Sequence, residues 1–139
     1  MAVSTGELAE KLMRTTHRLR RASMKSLAPL GLTPAQERML RLVARSTEHA
    51  RMGELADRMG IVPRSATSLV AALQDAGLVE RATDPDNRRS VLVALTEQGS
   101  AVQQGMAKAR ASAGEEMFAA LTEAERVELA RLLDKVGQV

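Results

Sequence analysis

The chain has 139 residues, 45% of them hydrophobic, and a formal net charge of +3, which is the size and make-up of one domain able to bury a real core. It holds no cysteine and two well-separated histidines, His17 and His49, so disulfides, thiolate metal sites and cysteine redox sensing are excluded and no cofactor or metal is expected. No apolar run reaches membrane-spanning length, Met1 to Glu10 carries acids where a signal peptide starts basic, and Phe118 is the one aromatic side chain; a cytoplasmic protein without a membrane partner, and without stacking platforms for single-stranded nucleic acid, is expected.

Charge is segregated along the chain. Residues 1 to 36 carry Lys11, Arg14, Arg18, Arg20, Arg21 and Lys25 against two acids, whereas residues 115 to 139 carry three bases against six acids. A basic surface concentrates polyanions, although a run of this size also suits a solvated helix face. The first helix is expected from about Gly6 to Leu27, with Leu8, Leu12, Leu19 and Leu27 near one stripe and Thr15 and Ala22 or Ser23 between them. Pro29 and Gly31 break it. Thr33-Pro34-Ala35-Gln36 then reads as a helix start, with Thr33 as cap, Pro34 in the first turn and Gln36 reaching back; the helix runs to about Ser46 and buries Met39, Leu40 and Val43.

The stretch from Gly53 to Thr96 organises the rest. Met52, Leu55, Ala56 and Met59 recur at helical spacing and turn Glu54, Asp57 and Arg58 outward, and Gly60 suits a left-handed cap. Pro63 opens another helix, to about Ala76, whose inward set is Ala66, Leu69 or Val70, and Leu73. Two helices joined by so tight a turn form a helix-turn-helix. Arg64, Ser65, Thr67 and Ser68 are left exposed near the start of the second one, where a recognition helix meets base edges and the helix dipole favours phosphate.

Gly77-Leu78-Val79 begins a strand to about Thr83. Asp84 to Arg89 is a charged turn, and Ser90 to Leu95 returns, giving a β-hairpin whose arginines can enter a minor groove. Thr96 caps a helix over about 97–120 with a Val102, Met106, Ala109, Ala113, Met117 stripe. Thr122 and Glu125 form a second capping box, ahead of a last helix expected to bury Val127, Leu129 or Ala130, Leu133 and Val136. These terminal helices exceed what the central module needs, so their expected partner is a second copy in a two-fold dimer.

Leu32-Thr33, Gln36, Glu54-Leu55-Ala56, Thr67, Leu73, Gly77-Leu78-Val79, Arg81, Asp84-Pro85, Arg88-Arg89, and Val91 through Leu95-Thr96 with Gly99 together resemble the MarR family of bacterial transcription regulators. The resemblance covers nearly the whole chain. It implies a mainly α fold with a small β-hairpin wing: one domain over 1–139, with a winged helix-turn-helix lobe at 33–96 and dimerisation helices at 6–30 and 97–137. It further implies a homodimer on pseudo-palindromic double-stranded operator DNA, a repressor released by a small organic ligand. By position, Arg64, Ser65, Thr67 and Ser68 would enter the major groove, Arg89 beside Arg88 would be the wing arginine, and Arg81 would serve phosphate. The family's effector cavity would be lined by residues including His17, Arg21, Met39, Met106 and Arg110.

Four positions depart from the family pattern. Asn87 stands where an acid usually lies two places before the wing arginine, and an amide cannot supply the charge that fixes a guanidinium. Val62 replaces a frequent serine cap, leaving Pro63 and the dipole to start the helix. Ser68 and Ala72 occupy places where bases are common, which shifts phosphate contacts to Arg64, Arg81 and the wing. An enzyme is not expected, because the chain lacks a Gly-rich phosphate loop and clustered His and carboxylates. The rival reading is a winged helix used as a protein-interaction module, which a flat salt response would favour.

Overall fold

The computed structural model describes residues 1–25, 30–46 and 49–137. Leu27 and Pro29, assigned above to the first helix and its break, lie outside them. The elements are α1 (Thr5–Lys25), α2 (Pro34–Ala44), β1 (Ala50–Arg51), α3 (Met52–Met59), α4 (Pro63–Asp75), β2 (Val79–Asp84), β3 (Asn87–Leu95), α5 (Glu97–Phe118) and α6 (Glu123–Val136). They divide into two compact units, one spanning Leu27–Ala107 and the other combining Met1–Ser26 with Lys108–Val139.

Local rules set most of the boundaries in the larger unit. The Thr33 hydroxyl accepts the Gln36 N–H at 3.2 Å while the Gln36 side chain accepts the Thr33 N–H at 3.0 Å, so two orphan amides at the start of α2 are satisfied reciprocally. Gly60 ends α3 at φ 67°, a left-handed conformation that L side chains resist, and Pro63 supplies the first turn of α4. The core joins Met39, Leu40 and Val43 of α2, Leu55 and Ala56 of α3, and Ala66, Val70 and Leu73 of α4 to Val79, Val93 and Met106. Of the two alternatives on α4, Val70 is buried and Leu69 only partly so.

The sheet is antiparallel in the order β1-β3-β2. Strand β1 was not anticipated, since a two-residue strand carries no periodicity; it exists because Ala50 and Arg51 pair with Val93 and Leu92. The hairpin tip is also shorter than the expected turn over Asp84 to Arg89: Asp84 pairs with Asn87, so Pro85 and Asp86 alone make the turn. At its base, Thr96 locks strand to helix. Its hydroxyl donates to the Gly77 carbonyl at 2.6 Å and accepts the Gly99 N–H at 3.0 Å, capping α5. A Cβ on Gly99 would lie 1.8 Å from the Leu78 carbonyl oxygen, so only glycine permits this approach.

In the other unit, α6 begins with the second capping box, Thr122 with Glu125. The sequence reading buries Val127, Leu133 and Val136, but they stand 66%, 45% and 62% exposed, and α6 has no buried residue. Among the described residues, nothing covers that face. Leu8 and Leu12 on α1 are likewise about half exposed, while Ser23, the inward member of its pair of alternatives, is buried.

Candidate nucleic-acid interface

Helix α4 separates its faces cleanly. Ala66, Val70 and Leu73 point into the core, while Arg64, Ser65, Thr67 and Ser68 are exposed on the opposite side. Val62 precedes the helix in extended conformation without a side-chain cap, and its own isopropyl group is exposed. Two of the exposed hydroxyls are already committed as donors. Thr67 Oγ1 donates to the Pro63 carbonyl at 3.0 Å and Ser68 Oγ to the Arg64 carbonyl at 3.1 Å, which leaves their lone pairs facing outward as acceptors. Among the described residues, Arg64 makes no ion pair or side-chain hydrogen bond, so its fork of donors is available. One short surface therefore offers both acceptors and a bidentate donor, which is the complement of base edges in a major groove.

The hairpin carries three more predicted residues. Arg81, on β2, is exposed but engaged, its Nε donating to Gln74 Oε1 of α4, which ties strand to recognition helix. Arg88 and Arg89 lie beside a break in the ladder. Thr83 pairs with Val91 and Asp84 with Asn87, so the residues from Arg88 to Ser90 have no partner on β2. Such a bulge bends the strand and redirects its side chains. Asn87 does not reach a guanidinium; its Oδ1 accepts the backbone N–H of Arg89 at 3.2 Å. Both arginines are exposed and, among the described residues, form no ion pair.

Sequence reasoning missed the residues that hold this hairpin. Asp84 is only 4% exposed. Its Oδ1 accepts the Asp86 N–H at 2.9 Å, and its Oδ2 lies 3.5 Å from Arg51 Nη2 on β1. The Asp-Pro pair did signal a turn. Nothing local pointed to Arg51, whose part follows from the pairing of β1 with β3.

The predicted effector residues fall in different settings. Met39 and Met106 are fully buried members of the larger unit's core. His17, Arg21 and Arg110 belong to the other unit. Arg21 lines a shallow hollow of about 300 Å³ with Arg18, Ala22, Ala113, Glu116 and Met117. His17 lies on a separate surface patch of α1 with Leu12, Met13 and Arg20. Arg110 is half-buried, with Nη1 closed off from solvent and, among the described residues, without a hydrogen-bond partner.

Comparison with known proteins agrees with this geometry. Residues 30–90 match the model of the MarR family, which covers the helix-turn-helix and most of the hairpin. An HTH-type transcriptional repressor of Mycobacterium tuberculosis is 30% identical over 112 residues, spanning 81% of this chain and 80% of the repressor. A MarR family transcriptional regulator from Rhodococcus sp. RHA1 superimposes with a TM-score of 0.82 at 25% identity, over 99% of this chain and 97% of that one. CouR from Rhodococcus jostii RHA1, whose structure holds p-coumaroyl-CoA, gives 0.79 at 26% identity over 95% and 92%. Because the likeness runs through helix-turn-helix, hairpin and flanking helices alike, this chain belongs to the MarR family of winged-helix transcriptional regulators.

Proposed function

We propose that the protein is a homodimeric, cytoplasmic repressor that binds a pseudo-palindromic operator in double-stranded DNA, performs no catalysis, and is released by a small organic ligand. The observation that carries this is the exposed set Arg64, Ser65, Thr67 and Ser68 on a helix whose opposite face is wholly buried, next to a hairpin presenting Arg88 and Arg89. In a two-fold dimer the two α4 helices would enter successive major grooves about 34 Å apart while the wings take the flanking minor grooves. The apolar residues left open on α1 and α6, among them Leu12, Val127 and Val136, support the second copy as partner.

Arg64 supplies direct readout, since a bidentate pair to guanine is worth about 1–3 kcal/mol of discrimination. Arg88 and Arg89 supply groove and phosphate contacts, and Arg81 adds charge from a position already fixed by Gln74. The ligand reading rests on Arg21 and Arg110 of the smaller unit, because Met39 and Met106 are closed inside the core of the larger one and His17 lies on a separate patch. Arg21 and Arg110 are the cations that suit an organic acid, and CouR's p-coumaroyl-CoA shows that a similar fold can hold an organic thioester.

Selection from a random duplex pool, followed by titration of Arg64→Ala and Arg89→Ala on operator and scrambled DNA, tests the assignment. Arg64→Ala should lose sequence preference, and Arg89→Ala should weaken every duplex more evenly. Wild-type affinity should also fall linearly with log salt, at about −0.9 per neutralised phosphate. Equal losses for both variants on every duplex, or a flat salt response, would overturn it.

A further inference from the structure

The wing lacks the acid at position 87 that could fix an arginine, yet its tip holds a buried carboxylate of another origin. Asp84 is the last residue of β2 and the point at which the ladder shifts, so it sits at the root of the bulge that carries Arg88 and Arg89. One of its oxygens holds the tip by accepting the Asp86 N–H, and the other faces Arg51 Nη2. Arg51 in turn pairs with Leu92 in the β1–β3 ladder. The ion pair thus joins the far end of the hairpin to the opposite edge of the sheet.

We propose that the Asp84–Arg51 pair is a brace that positions the wing arginine Arg89 for DNA, doing through the sheet what an acid at position 87 would do directly. The proposal rests on the DNA-binding reading above. Asp84 is too buried to touch a duplex itself, so it is a positioning residue. Without the brace the bulged strand can swing, and ordering it on binding costs affinity that a pre-set wing does not lose. Removing Arg51 also leaves a buried carboxylate without its cation, a cost that opening the tip to water relieves.

Operator titrations of Arg51→Gln, Arg51→Lys and Asp84→Asn, each alone and combined with Arg89→Ala or Arg64→Ala, test the brace, with a melting curve for each variant. Arg51→Gln and Asp84→Asn should each weaken binding about five- to tenfold. Arg51→Lys, which retains the charge, should restore most of it. In the Arg89→Ala background the loss should vanish, because the brace acts through that side chain, whereas with Arg64→Ala the two losses should multiply. A loss that persists beside Arg89→Ala marks Arg51 as a direct phosphate contact and overturns the brace, as does undiminished binding by Arg51→Gln. Should Asp84→Asn melt below assay temperature, Arg51→Gln and its lysine rescue decide. A wild type that prefers no duplex overturns the DNA reading itself, an outcome distinct from failure of the brace.

Discussion

The two compact units solve the burial problem in opposite ways. In the larger one, Leu73, Val70, Leu40 and Met39 are fully buried by residues of the same chain, and the sheet and the Thr96 junction close around them. In the other, α6 buries nothing and leaves Val127, Leu133 and Val136 open. The contrast separates a part whose apolar residues are buried within the chain from a part whose apolar face is open in the single copy. Hydrophobic free energy scales with area removed from water, so the same residue type has different consequences in the two places.

The sharpest test of that contrast is a matched pair of truncations. Leu73→Ala should lower unfolding free energy by about 2–5 kcal/mol at any protein concentration, because it opens a cavity in a closed core. Leu133→Ala should instead lower the concentration-dependent part of the melting temperature and shift sedimentation toward monomer. Equal, concentration-independent losses in chemical denaturation would erase the distinction.

A smaller effect separates the capping boxes, one in each unit. Thr33→Ala should cost about 1 kcal/mol of global stability, since α2 delivers Met39 and Leu40 to the core. Thr122→Ala should fray the start of α6 and leave global unfolding nearly unchanged, which amide exchange resolves residue by residue.

The smallest effect is a pH dependence confined to one box. Hydrogen bonds from the Thr122 backbone and side chain hold the Glu125 carboxyl below its ordinary range, and the Arg131 side chain does the same to Glu128. A lowered folded-state pKa stabilises above the unfolded value and loses that contribution as pH falls through the folded one. Amides at the start of α6 should therefore lose protection on acidification into the carboxylate range. Those capped by Thr33 should not follow in step, because Gln36 has no charge to neutralise. Parallel loss at both helix starts would show that the caps are not what titrates.

Features that depend on neighbours three or four residues away were legible beforehand. Both capping boxes, the Gly60 cap, Pro63 at the start of α4 and its inward Ala66 and Leu73 follow from local hydrogen bonds and helical spacing. The outward Arg64, Ser65, Thr67 and Ser68 came with them, because a helix that buries one face must expose the other. Features set by pairing across the chain were not. The two-residue β1, the shortened tip and the displaced register around Arg88 and Arg89 leave no periodic trace, and the exposure of α6 contradicts a stripe that looked buried.

What the order of residues decided alone was the set of helices, their ends, the hairpin and the face that α4 turns outward, all consequences of short-range sterics and amphipathic spacing. Tertiary structure alone decided that Arg51 meets Asp84, that Arg81 is held by Gln74, and that Thr96 closes on Gly77. Those contacts join groups distant in sequence, and whether such groups meet depends on strand register and packing, which no local pattern encodes.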